Sequence, residues 1–354
     1  MLQRQFVLQP NSDYLLHVTA KQYWLPEFEA HWGDIDAQTL ILLHSTSFHK
    51  EIWEPTIQSM FEVLVSCPSA FKNGDTGNNP LKIKCAWAIE CPNHGQSAVL
   101  NDTALQQFPY FRNFGCEKYA EAVHHFMTSA STLSPPVNFS TQKLVGIGHS
   151  LGGVAIAILQ ILQPVFPFEA LVLVEPLLSP QGLKPLHPLQ RRLIQSAYDR
   201  RDVWPSRANA LQYFTARRKI THWDLRVLEL YVKFGLKPHQ EIPHESTLYE
   251  VGLACSREEE ATMYRDPTGP SSGLEALNEV SGRIPVSVIF GGEKDLIPHS
   301  VQDALVDCTS RRHFLSVHRI EGAGHLIPQQ VPEELGRVIV DILIGSRTHL
   351  TSKL

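Results

Sequence analysis

A serine set between glycines is the first feature with chemical content. Gly148-His149-Ser150-Leu151-Gly152-Gly153 matches G-x-S-x-G, after an apolar run and before a helical one. On a strand-to-helix turn, small neighbours let the two elements approach closely. The hydroxyl is then held above the sheet, near the positive end of the helix. A serine hydroxyl alone is a weak nucleophile and needs a base. His325 offers one in Glu321-Gly322-Ala323-Gly324-His325-Leu326, flanked by small residues in the loop after the last expected strand. Other histidines, His44, His94 and His149 among them, are read as structural or as supports for the reacting residues. Attack on an acyl carbon creates an oxyanion that needs two backbone N–H donors. Leu151 is expected to supply one, and Thr46 in His44-Ser45-Thr46-Ser47-Phe48 the other. Phe48 of that loop is an expected substrate contact.

These residues need elements to hold them. Tyr14–Ala20, Thr39–Leu43, Ile83–Ile89, Lys143–Gly148 and Leu171–Val174 read as strands, and the last is apolar at every position. Such runs suit parallel strands covered on both faces. Helical spacing marks Lys50–Val65, Glu117–Thr128 and Gly152–Leu162, with a loop over Ser66–Pro80 and a turn at Pro92-Asn93-His94-Gly95. The alternation predicts a doubly wound α/β sheet. From Pro176 to Ser281 helical stretches continue without a convincing strand. Asp224–Phe234 is the clearest, with Thr221 and Asp224 spaced for a capping box. Strand signal resumes at Val286–Phe290. Helix Ser300–Val306, a strand at Phe314–Ile320 and helix Pro332–Ile344 follow. The expected organisation is a core of residues 1–175 and 282–354 interrupted by a helical cap of residues 176–281.

The chain has 354 residues, a net charge of −5 and 43% hydrophobic residues, so it can bury a large core and carries no basic excess to hold nucleic acid. No apolar run approaches the ~18 residues that span a bilayer. Met1–Pro10 lacks an apolar signal segment, so the six cysteines are expected as reduced thiols. With no metal-binding motif and no G-x-G-x-x-G, the chemistry is expected to need no metal and no organic cofactor. Ser352-Lys353-Leu354 reads as a peroxisomal address, with the import receptor as partner.

Together these features resemble the α/β-hydrolase family over nearly the whole chain. Leu144–Ser150, Lys21-Gln22-Tyr23, Lys50-Glu51 with Glu54-Pro55, and Arg201-Asp202-Val203-Trp204-Pro205-Ser206 look like a narrower fungal group. It includes the peroxisomal acyl-CoA hydrolase of mycophenolic acid biosynthesis and hydrolases of host-selective toxin clusters. The resemblance implies cleavage of an acyl-CoA thioester, or an ester, of a secondary-metabolite or fatty-acyl intermediate, and it marks Trp204 as a substrate contact. It also leaves two candidates for the acid that orients His325. The generic fold places that acid after the seventh strand, at Asp295, and the mycophenolate enzyme places it after the sixth, at Glu175. Glu175 is the preferred reading. Arg191-Arg192 and Arg217-Arg218-Lys219 are candidate contacts for coenzyme A phosphates or ordinary solvated surface.

The leading reading is a serine hydrolase acting on a small-molecule acyl thioester or ester through an acyl-serine. Acyl transfer from the same intermediate to an alcohol or amine is an alternative. So is a receptor that keeps the fold and binds without turnover.

Overall fold

In the computed structural model, which describes residues 1–66, 81–217, 222–239, 250–310 and 312–351, eleven strands run in chain order. They are β1 (Leu2–Leu8), β2 (Val18–Trp24), β3 (Gln38–Leu43), β4 (Ile83–Ile89), β5 (Lys143–His149), β6 (Phe168–Val174), β7 (Val203–Trp204), β8 (Leu236–Pro238), β9 (Val251–Leu253), β10 (Val286–Gly291) and β11 (Ser316–Ile320). Eight form one sheet in the order β1-β2-β4-β3-β5-β6-β10-β11. β1 pairs antiparallel with β2, and β2 with β4, whereas β4 through β11 run parallel.

The central strands are apolar on both faces because both are covered. Leu171 and Leu173 of β6 join the core cluster under helices Cys116–Thr128 and Leu151–Leu159. Their neighbours Val172 and Val174 face helices Glu54–Ser66 and Pro332–Thr351. Every residue of helix Leu151–Leu159 is buried, so it shows no amphipathic stripe. Burying alternate residues on opposite faces is what period-two strands between two helical layers require.

Three local expectations change. β1 does not stand out in the sequence because only Phe6 and Leu8 of this edge strand are buried. The first expected strand moves from Tyr14–Ala20 to Val18–Trp24. Asn11 accepts from the Asp13 and Tyr14 amides in a turn before it, and buried Lys21 interrupts its apolar pattern. Asp224 is itself the N-cap of helix Leu225–Phe234, accepting from the Arg226 amide, rather than the fourth residue of a capping box. Thr221, Arg218-Lys219, most of the Ser66–Pro80 loop and Ser352-Lys353-Leu354 lie outside the described residues.

The stretch between β6 and β10 divides in two. Helices Arg207–Ala216 and Leu225–Phe234 build a lid with its own apolar cluster around Trp204, Phe214, Val227 and Tyr231, while helix His187–Asp199 packs Leu189 with Ile297 and Val301 and lies against helix Arg257–Arg265. β7, β9 and β8 form a small antiparallel sheet there, contrary to the strandless cap expected. With two or three residues each, these strands are too short to show alternation. Helix Gly269–Val280 instead packs Ala276, Leu277 and Val280 into the main core. Phe48, Ile52 and Leu326 of the core enter the lid's cluster, so the lid is seated on two core loops.

Candidate active site

Ser150 stands at the β5-to-helix turn with φ 54° and ψ −118°, a conformation rare for a side-chain-bearing residue. Its glycine neighbours are required by space. A Cβ on Gly148 would lie 2.5 Å from the Gly152 carbonyl oxygen, and one on Gly152 would lie 2.5 Å from those of Leu43 and His44. The Ser150 amide donates to the Val174 carbonyl at 2.9 Å, tying the turn to the end of β6.

Ser150 Oγ lies 3.0 Å from His325 Nε2, and His325 Nδ1 lies 3.1 Å from Glu175 Oε2. Glu175 follows β6 directly, with φ 46°. Its Oε1 accepts from the Gly291 amide at 2.7 Å and from Gln302 Nε2 at 3.0 Å. Gln302 in turn accepts from Arg319 Nη1 at 2.8 Å. Asp295 is near but faces the main chain. Its two oxygens accept from the His325 backbone N–H at 2.9 and 3.0 Å. Gly324 permits this approach, since a Cβ there would meet Asp295 Oδ2 at 2.1 Å. From the other side, His149 Nε2 lies 2.8 Å from the His325 carbonyl oxygen, and burial pushes the His149 pKa well below its ordinary value. A neutral ring donating from Nε2 satisfies that contact.

The loop after β3 is held as firmly. His44 Nε2 accepts from the Cys91 amide at 3.1 Å while Nδ1 faces the Ser45 carbonyl at 2.8 Å. Burial pushes the His44 pKa down to about 4. His94 Nε2 accepts from the Ser47 amide at 3.0 Å, and its pKa is likewise driven well down by burial. Ser47, at φ 76°, bonds through its hydroxyl to Glu260 of helix Arg257–Arg265. Glu260 forms an ion pair with Arg200 at 2.7 Å. Among the described residues, neither the Thr46 nor the Leu151 amide has a hydrogen-bond partner.

Ser150 and His325 open into a cavity of about 310 Å³ under the lid. Thr46, Phe48, Phe214, Trp223 and Tyr231 line it, with Arg200, Arg201 and Arg217. Ser150 is 7% and His325 5% exposed, so the cavity is their route to ligand. The expectation for Trp204 is corrected. It is fully buried behind Tyr213 and Phe214, with ring centroids 5.7 and 5.1 Å away, and it does not reach the cavity wall. Gln302 and Glu260 escape the sequence reading, because only tertiary contact relates them to the site, whereas His149 stands among the histidines named there and holds the His325 carbonyl. Among the described residues no three His, Cys, Asp or Glu side chains gather as metal ligands would, and no helix is long and apolar enough to cross a membrane.

A model of the alpha/beta hydrolase family matches residues 40–338. The chain belongs to the alpha/beta hydrolase family. Its similarity to an abhydrolase domain-containing protein, AKT2 of Alternaria alternata, is 26% identity over 226 residues, 56% of this chain and 82% of the relative. It is 28% identical over 229 residues to the type I acyl-CoA thioesterase mpaH of Penicillium roqueforti, 62% of this chain and 44% of that longer hydrolase. Among solved structures, the peroxisomal alpha-beta-hydrolase Lpx1 of Saccharomyces cerevisiae superposes with a TM-score of 0.69 at 19% identity. It covers 100% of this chain and 89% of its own. The thioesterase domain of a curacin biosynthetic pathway superposes at 0.61 with 13% identity, covering 96% and 100%. Both structural likenesses concern the hydrolase fold.

Proposed function

We propose that this hydrolase cleaves an acyl-CoA thioester, or a related ester, through an acyl-serine. The carrying observation is the Ser150–His325–Glu175 line, with contacts of 3.0 and 3.1 Å at the two ring nitrogens. In this reading His325 Nε2 takes the proton of Ser150 as Oγ bonds to the acyl carbon. The Thr46 and Leu151 amides receive the oxyanion, which fits their lack of other partners. Collapse of the tetrahedral intermediate breaks the carbon–sulfur bond, and the imidazolium returns its proton to the departing thiolate. Water then gives a proton to His325 as its oxygen attacks the acyl-serine, and collapse breaks the acyl carbon–Oγ bond while the imidazolium returns the proton to Oγ, releasing the acid and restoring the serine. Glu175 fixes the ring so that Nδ1 carries a proton, and its negative charge stabilises the cation. Similarity to the mpaH thioesterase supports the acyl-CoA class.

The test is release of free thiol from a panel of acyl-CoA thioesters, beside simple esters, by the wild type and Ser150→Ala. The variant should fold and lose about 10⁶-fold in turnover, as losses of such nucleophiles do. It should also fail to react with a fluorophosphonate probe that labels the wild type. Retention of several per cent of the activity would refute the serine mechanism.

The same reading places the protein in the peroxisome, supported by the Ser352-Lys353-Leu354 tripeptide. An N-terminal fluorescent fusion should be punctate and become diffuse when the three residues are deleted. A fusion diffuse from the start would refute the placement.

A further inference from the structure

The cavity carries charge of one sign at its edge. Arg200, Arg201 and Arg217 line it, and the carboxylate in its wall, Asp295, is turned to the His325 backbone. The three arginines differ in setting. Arg200 is the inner one, ion-paired with Glu260. Arg201 and Arg217 line the cavity and are also exposed to solvent, which puts them at its mouth. They are organised around one ring. The Cζ atoms lie 5.5 Å and 5.2 Å from the Tyr213 centroid, and Arg217 Nη1 donates to the Tyr213 hydroxyl. Arg201 is further set by its Nε bond to the Val203 carbonyl at 2.7 Å and by lying 5.9 Å from the buried Trp204 ring. Trp204 thus acts behind the wall, backing the platform on which Arg201 rests.

This arrangement has a specific use. Stacking on an aromatic ring restrains the long arginine stem, so less rotamer freedom is lost when an oxyanion is gripped. Planar guanidinium forks match phosphate oxygens, and at a mouth they meet the part of a ligand that stays outside. Inside, Phe48, Phe214, Trp223 and Tyr231 form an apolar wall suited to an acyl group. An amphipathic ligand with an apolar end within and anionic groups at the rim satisfies both halves. Resting on the acyl-CoA reading above, we infer that Arg201 and Arg217, ordered by Tyr213, form the docking site for the phosphates of the coenzyme A carrier. The rim then sorts substrates by carrier, and the inner wall sorts them by acyl group.

The test measures binding, so that it does not depend on turnover. Coenzyme A, dephospho-coenzyme A and pantetheine are titrated calorimetrically into the full-length protein, its Arg217→Ala and Arg201→Ala variants, and Arg217→Lys. The wild type should bind coenzyme A more tightly than pantetheine, and added salt should narrow the gap. Each alanine variant should weaken coenzyme A binding about tenfold, with lysine recovering only part, as loss of a bidentate charged contact implies. Arg217 is exposed and near the end of its helix, so Arg217→Ala carries the test if Arg201→Ala fails to fold. Equal binding of coenzyme A and pantetheine, or coenzyme A binding indifferent to Arg217→Ala, overturns the inference. So does arginine-dependent binding of a dicarboxylic acid with no such dependence for coenzyme A. If coenzyme A binds as expected and no thioester is cleaved, the rim stands and the proposed activity falls.

Discussion

At the scale of single residues, two carboxylates approach one histidine and do different work. Glu175 meets the ring at Nδ1, and Asp295 meets the backbone N–H of the same residue. Under the proposed mechanism Glu175→Gln should therefore cost about 10⁴-fold in kcat, the scale seen when the ring's tautomer is no longer fixed. Asp295→Asn keeps an oxygen able to accept the backbone bond, and its loss should be far smaller. Steady-state kinetics on the two variants checks the order, and a reversal would exchange the roles. Gln302→Ala removes the amide that holds Glu175 and should lower kcat with little change in KM, because Gln302 lies outside the cavity wall. Ser150 and His325 are legible in the sequence because their local backbones demand small neighbours. Both carboxylates are legible as candidates. What separates them is the direction each side chain takes from a different strand end, and no local pattern encodes that. Gln302 leaves no trace, since a glutamine on a short helix is ordinary until the fold sets it against Glu175.

At the scale of elements, legibility follows burial. β5, β6 and β10, covered on both faces, read as apolar runs. Edge strand β1 and the two- and three-residue strands of the lid carry too little buried surface to show a period. The resemblance marks the Trp204 string as functional, yet the indole serves as the lid's core. Trp204→Ala should cost about 3–5 kcal/mol of stability, as deletion of a large buried aromatic does. A large fall in Tm with equal relative rates across acyl chains is the expected result. A changed chain-length preference at unchanged Tm would return Trp204 to the substrate wall. Gly152→Ala should be worse for the site than for the lid, since its methyl would collide with the carbonyls that end β3. Circular dichroism with fluorophosphonate labelling separates the two outcomes.

At the scale of the whole molecule, three buried neutral histidines surround the site and link stability to pH. His44 and His94 each accept a backbone N–H at Nε2, so protonation would set two donors against each other. With His149, their folded-state pKa values lie below the ordinary one, His44 at about 4. Below roughly pH 6.5 the unfolded chain therefore binds protons that the folded chain refuses. Their contribution is complete above that pH and is lost as pH falls through it toward the folded values. Tm should drop between pH 7.5 and 5, and a flat profile would contradict this coupling. The loop after β3, the turn at Ser150 and the loop of His325 would loosen together, so irreversible loss of activity should begin in the same range.

Ser47, Ser150 and Glu175 all bear side chains at positive φ, and all three stand at the site. Such conformations store about 1–3 kcal/mol each. Under the proposed mechanism that energy is a burden carried for chemistry, and it would give the protein's history a direction. A descendant relieved of catalysis could exchange these positions for glycine, which accepts the backbone without strain. Such a descendant would drift toward greater stability as it lost its activity. Its fossil signature would be glycine replacing serine at the β5 turn and glutamate at the end of β6, with the surrounding sheet unchanged. Relatives that keep side chains at all three places would be those in which selection still requires turnover.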